Sequence, residues 1–228
     1  MILLEPKSRK ESEKIMVNEV LNPVIGVDES GKGDYFGPLV IAGVYVDNNI
    51  EKKLSGLGIK DSKLISDNRV LSLSSEIKRS AKYSIVVINP ERYNEMYQQI
   101  KNLNKILAWG HARVIENLLA EVECHYVISD KFGDEKFILN ALMEEGKKVT
   151  LKQETKAEKY LPVASASILA RAEYIKRLEK LGKSIGFNLP KGASYEVENT
   201  AREVIEKFGK EMLLKLVKIH FKITKRVI

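Results

Sequence analysis

The chain alternates short apolar runs with longer stretches of helical spacing. Runs of strand length occupy 24–28 (VIGVD), 38–46 (PLVIAGVYV), 82–90 (KYSIVVINP) and 124–130 (CHYVISD), and 147–153 (KKVTLKQ) is a fifth. Residues 104–122 carry apolar side chains at 106, 107, 114, 115, 118 and 119, which share one helix face. A short charged helix is expected over 8–21. From 161 onward the pattern is helical, first over 162–182 and, after a Gly/Pro loop, over 199–221. Thr200 and Glu203 have capping-box spacing at the start of the last helix. Strands early, helices late and alternation between them predict a mixed α/β domain. No repeat, low-complexity tract or linker divides it. Two of the strand-like runs end in acids, Asp28-Glu29 and Asp130. Functional groups of an α/β sheet gather at strand ends, so these acids would meet if their strands are neighbours.

Charge adds a partner class. The chain of 228 residues has a net charge of +7, and residues 201–228 alone hold eight Lys/Arg against three Glu. Such a balance fits a polyanionic partner, and equally a solvated amphipathic helix. With 44% hydrophobic residues the chain can bury a sizeable core. The single cysteine, Cys124, excludes an intrachain disulfide and a cysteine-rich metal site, and its apolar neighbours mark a buried thiol. No apolar run approaches the roughly 18 residues of a spanning helix. The start, MILLEPKSRK, lacks a positive segment before its apolar residues, so no signal peptide is read and a cytoplasmic location is expected.

The chemistry concentrates in 26–33, GVDESGKG, which nearly spells a phosphate-binding loop. Gly33 stands where a Ser or Thr should follow the lysine to hold Mg²⁺, and Asp28 and Glu29 occupy ground where anions would bind. Both features argue against a nucleotide cofactor. Adjacent acids at a strand end suit a hard cation such as Mg²⁺. Gly31 and Gly33 would then let the backbone approach a ligand and adopt positive φ. Read alone, the stretch also fits a β-turn with solvated acids.

DESGKGDYFGPLVIAG (28–43), followed by IKDSKLIS (59–66), resembles the opening of the type 2 ribonucleases H, specifically ribonuclease HIII. The resemblance continues through 93–119, SDKF (129–132), ETKAEKYLPVASASILAR (154–171), LPKGAS (189–194) and KIHFKIT (218–224). These blocks lie in order over nearly the whole chain. The resemblance implies a ribonuclease H-like mixed sheet flanked by helices with a helical C-terminal part. The catalytic domain would span 23–228, including the basic C-terminal helices, after a short segment 1–22.

The implied activity is endonucleolytic cleavage of the RNA strand of RNA/DNA hybrids by two-metal-ion hydrolysis, leaving 5′-phosphate and 3′-hydroxyl ends. Asp28, Glu29, Asp130 and Glu158 match the four acids of the family, which hold Mg²⁺ or Mn²⁺. Gly31, Lys32 and Gly33 match the turn that contacts 2′-hydroxyls, with Lys32 as a phosphate contact or simply an exposed turn residue. Asp61, Ser62 and Lys63 match the DSK motif that holds phosphate, and Ser165 or Ser167 would touch phosphate. A monomer with no membrane association is expected. Trp109 and His111 read as structural helix residues, and Tyr35 and Phe36 as packing.

Ribonucleases HIII usually carry an N-terminal domain resembling a TATA-binding protein, and about 23 residues before the catalytic block are too few to form one. Lys215, Lys218, Lys222, Lys225 and Arg226 are therefore expected to supply substitute phosphate contacts. The HII-type junction tyrosine has no obvious equivalent in LPKGASYE, where Tyr195 is displaced. Cleavage within runs of ribonucleotides is expected, with HII-like incision at single embedded ribonucleotides as the alternative.

Overall fold

The computed structural model describes residues 22–59 and 62–228; the helix expected over 8–21 lies outside them. Five strands, β1 (Val24–Ser30), β2 (Leu39–Val46), β3 (Tyr83–Ile88), β4 (Tyr126–Asp130) and β5 (Thr150–Glu154), form one sheet in the order β3-β2-β1-β4-β5. The first three pair antiparallel, and β4 and β5 extend the sheet parallel to β1. The register sets Val27 beside Ser129 and Asp130 beside Glu154, so the acid-bearing ends of β1 and β4 are neighbours.

Helices cover both faces, because β1 and β2 are apolar on both sides. One face of β2 (Val40, Ala42, Val44, Val46) packs on α1 (Asn48–Ser55), α2 (Asp67–Ser80) and α6 (Leu161–Ile185). The other (Leu39, Ile41), with Ile25 and Val27 of β1, packs on α3 (Pro90–Ile100), α4 (Leu103–Leu119) and the short α5 (Lys136–Ala141). Local signals set the helix ends. Asp47, Ser66 and Asn102 cap α1, α2 and α4 with side-chain acceptors, Pro90 opens α3, and Gly186 at φ 66 closes α6.

The C-terminal helix is broken where the apolar spacing predicts continuity. It consists of α7 (Tyr195–Phe208), α8 (Lys210–Leu216) and α9 (Lys222–Val227). Gly209 at φ 83 interrupts it first, and the extended residue Val217 bridges to Phe36. Thr200 and Glu203 form no capping box. The N-cap of α7 is Ser194, and the Thr200 hydroxyl donates to the Glu196 carbonyl within the helix. Tyr35 and Phe36 are fully buried and meet edge to face, as packing residues do. Among the described residues no helix is long and apolar enough to cross a membrane.

Candidate active site

The ends of β1 and β4 form the floor of a cleft of about 620 Å³. Asp28, Glu29 and Asp130 line it, with the turn Gly31–Gly33 and Ser62, Lys63, Ser167, Arg171, Tyr174 and Lys191 around them. A strand sends successive side chains to opposite faces, so Asp28 and Glu29 lean toward different helices. Asp28 accepts from the Ser167 hydroxyl on α6 and from the Glu29 backbone N–H at 2.8 Å. Glu29 leans toward α4, where His111 Nε2 lies 3.2 Å from its Oε2, and Lys32 Nζ lies 3.2 Å from Oε1.

Burial pushes the Asp28 carboxyl well above the usual carboxylate range, and the charges of Glu29 and Asp130 push it the same way. Glu29 feels a similar desolvation, but His111 and Lys32 outweigh it and hold this carboxyl below its ordinary value. Three carboxylates lining one cleft, and offering only oxygen donors, fit a hard divalent cation. Among the described residues no three such groups stand ready-gathered as a metal cage. The acids share the cleft floor without closing into a coordination shell.

Glu158 sits in a short 3₁₀ turn, Ala157–Lys159, and does not line the cleft. The turn is tethered on two sides. The Ala157 N–H donates to Asp130 Oδ1 at 3.1 Å, while Lys159 and the Tyr160 hydroxyl bind Glu154. Lys156 enters the turn at φ 58, a left-handed conformation uncommon for a residue with a side chain. Glu154 stands beside Asp130 in the sheet and would pass for a ligand. Against a desolvation push, Lys152, Lys159 and Tyr160 hold it at about 2, so it stays ionised with its charge already paired to two lysines.

The glycines divide the work differently from the near phosphate-loop pattern. Gly31 has φ 88, and a side chain there would strike the Pro38 carbonyl. Gly33 has no positive φ and open space around it, which corrects the expectation of positive φ at both. Gly26 faces the start of α6, where a Cβ would run into the backbone of Pro162 and Val163. Its purpose is helix–strand approach, not phosphate binding.

Asp61 lies outside the described residues. Ser62 is buried and shares a hydrogen bond of 2.9 Å with Ser167, whose hydroxyl also serves Asp28. Ser165 cannot touch a phosphate. Two positions on an α-helix lie about 200° apart, so Ser167 turns to the cleft and Ser165 into the core, fully buried with its hydroxyl unpartnered. Lys218 is likewise withdrawn from any substrate. It is 0% exposed, and its ammonium donates to the carbonyls of Phe36, Gly37 and Pro38. Arg226 is paired with Glu198, whereas Lys215, Lys222 and Lys225 are exposed.

Ser30, Asp34, Arg171, Tyr174 and Lys191 also line the cleft and carry no signal in the sequence. Arg171 and Lys191 both bind Asp67, at 2.7 and 2.5 Å, and bring positive charge to the cleft wall. Both fall inside blocks that resemble the family, but only the tertiary pairing with Asp67 marks them. Tyr174, one α6 turn beyond Ala170, closes the wall with its hydroxyl on the Phe36 carbonyl.

A family model described as Ribonuclease HII matches residues 25–224. Ribonuclease HIII of Protochlamydia amoebophila (strain UWE25) is 52% identical over 202 residues, 89% of this chain and 67% of that protein. Ribonuclease HIII of Chlamydia caviae is 42% identical over 222 residues, 96% of this chain and 74% of its relative. Among solved structures, Bst-RNase HIII in complex with Mn²⁺ has a TM-score of 0.85 at 32% identity, covering 93% of this chain and 71% of that one. Aquifex aeolicus RNase H3 has a TM-score of 0.74, also at 32% identity, covering 96% and 81%. On this agreement of sequence and overall fold, the chain belongs to the ribonuclease HII family of metal-dependent endoribonucleases, among its HIII members.

Proposed function

We propose that the chain cuts the RNA strand of RNA/DNA hybrids endonucleolytically, at runs of ribonucleotides, through Mg²⁺ or Mn²⁺ held by Asp28, Glu29, Asp130 and Glu158. The observation that carries this reading is the meeting of acids from two neighbouring strand ends on the floor of a cation-rimmed cleft. A polyanion is drawn to Lys32, Lys63, Arg171 and Lys191, and the crowded carboxylates need a cation before phosphate can approach them. The relative solved with Mn²⁺ supports the choice of metal. Divalent metal in a two-ion site supplies an activated water and a counter-charge for the leaving 3′-oxygen.

The chain's own groups do the rest. Asp28 and Asp130 project from a rigid sheet, and Glu158 from a turn tied to Asp130 through Ala157. The turn 31–33 presents backbone to the minor groove, where 2′-hydroxyls distinguish RNA from DNA. In-line attack by water at phosphorus breaks the bond to the 3′-oxygen and leaves 5′-phosphate and 3′-hydroxyl ends. A monomer suffices for this chemistry, because every proposed ligand comes from one chain.

The test is cleavage of two labelled duplexes with Mg²⁺ or Mn²⁺, one an RNA/DNA hybrid and one DNA with a single embedded ribonucleotide. Cutting of the hybrid alone, lost by at least about a hundredfold in Asp130→Asn, is expected. Comparable cutting of both duplexes overturns the preference for runs. Full activity in the variant overturns the metal site.

A further inference from the structure

His111 has the look of a core residue. It is fully buried on α4, and its ring packs against Phe132 with centroids 4.7 Å apart. A buried helix histidine with satisfied nitrogens is ordinarily structural, but the partners of this one are unusual. Nε2 faces Glu29 Oε2 at 3.2 Å, and Nδ1 faces the Ser129 hydroxyl at 3.0 Å. Ser129 precedes Asp130 in β4, and its hydroxyl also lies 3.0 Å from the Asp130 carbonyl. One ring therefore joins the ends of the two strands that carry the acids.

We propose that His111 is a positioning residue for the metal site, fixing the Glu29 carboxylate through Nε2–H and tying it through Ser129 to the end of β4. The inference rests on the reading of Glu29 as a metal ligand. Nε2 must carry hydrogen for its contact with the carboxylate to be attractive, since the other neutral tautomer would set a lone pair against an anion. The Ser129 hydroxyl serves either proton arrangement at Nδ1, donating to the ring or accepting from it. Glu29 is then held at Oε2 from inside the core. Its other oxygen, Oε1, meets the partly exposed Lys32 among the described residues, and is left for a cation that displaces this ammonium. Outer hydrogen bonds of this kind orient ligating carboxylates.

The helix bearing His111 is set at this depth by its neighbour. Gly110 faces Ile41 of β2, and a Cβ there would overlap the isoleucine side chain. Without that close approach the imidazole would not reach the end of β1.

The test is calorimetric titration of Mn²⁺ into the full chain and its variants His111→Leu, His111→Gln and His111→Asn. Glutamine can place an amide N–H near the position of Nε2, and asparagine cannot. The leucine and asparagine variants are expected to bind Mn²⁺ about 10–100-fold more weakly, and the glutamine variant within a few-fold of the parent. Thermal unfolding in EDTA reports packing separately, and glutamine need not rescue it. Should the leucine variant fail to fold, the glutamine–asparagine contrast carries the test. Parent-like affinity in all variants, or equal loss in glutamine and asparagine, overturns the positioning role while leaving the metal site intact. A parent chain that takes up no Mn²⁺ overturns the metal reading itself, and this inference with it.

Discussion

Asp28 and Glu29 are adjacent in the chain yet electrostatically opposite, because the strand turns one to α6 and the other to α4. Glu29 finds two cationic or donor groups, while Asp28 finds a serine hydroxyl, one backbone N–H and two negative neighbours. A carboxyl whose folded pKa is raised favours folding most when protonated. That contribution is complete below the unfolded value and lost as pH rises through the folded one. The metal-free chain should therefore lose stability as pH climbs from the acid range toward neutrality. Asp28→Asn, neutral at every pH, should melt a few degrees higher than the parent at neutral pH without metal, on a scale of roughly 2–4 °C per kcal/mol for a domain this size. Added Mn²⁺ should close or reverse the gap by stabilising the parent alone. Melting curves in EDTA and in Mn²⁺ read both effects, and an asparagine variant less stable than the parent in EDTA would show that the ionised acid is not strained.

At the scale of elements, the site depends on how closely helices approach the sheet. Gly26 is the clearest case, since the first turn of α6 rests on the strand where a side chain would be. Gly26→Ala should destabilise the fold by about 3 kcal/mol or more, because backbone cannot move aside as a flexible side chain can. Denaturant unfolding checks this, and a loss below about 1 kcal/mol would mean that α6 shifts freely. The same residue shows what the sequence could and could not reveal. Apolar runs ending in acids marked β1 and β4, but their parallel pairing is a tertiary register that no local pattern contains. The α/β class is legible in the sequence, whereas α1, α2, α3 and α5 do not stand out in it, even though α2 buries Val70, Leu73, Ser74 and Ile77 at helical spacing. Gly209 sits in a continuous helical pattern, and only its backbone conformation breaks the helix. Of the proposed acids, three could be placed from strand ends. Glu158 came from resemblance alone, since a left-handed Lys156 and a tether to Asp130 leave no periodicity to read. His111 looked structural because a lone helix histidine gives no sign of which carboxylate it will meet.

Over the whole molecule, charge is sorted between cleft, surface and core. Lys218 is the extreme case, a cation from the basic C-terminal stretch turned fully inward beneath the loop that follows the 31–33 turn. Its backbone N–H binds the Tyr35 carbonyl and its side chain reaches Gly37 at 2.6 Å, so it anchors that loop to the C-terminal helices. Burial pushes its amine down to about 7, partly countered by the Asp34 charge, and the neighbouring His220 is pushed down to about 4 by its own burial and by Lys218. Between about 7 and the unfolded lysine value near 10.4, the unfolded chain binds one proton more than the native one. Stability should rise with pH across that window, by up to about 1.4 kcal/mol per unit for a single proton. The contribution falls away as pH drops through about 7, because the buried amine must then accept a charge. Lys218→Met keeps the length of the side chain and removes the titration. The stability difference between parent and variant should therefore shift in favour of the parent as pH goes from 7 to 10, with urea unfolding at several pH values as the measurement. Other tyrosines and lysines titrate in both proteins and cancel in the comparison. A difference that stays flat over the window would mean that three carbonyls hold the ammonium charged throughout, and that the loop is clamped by an ion–dipole contact insensitive to pH.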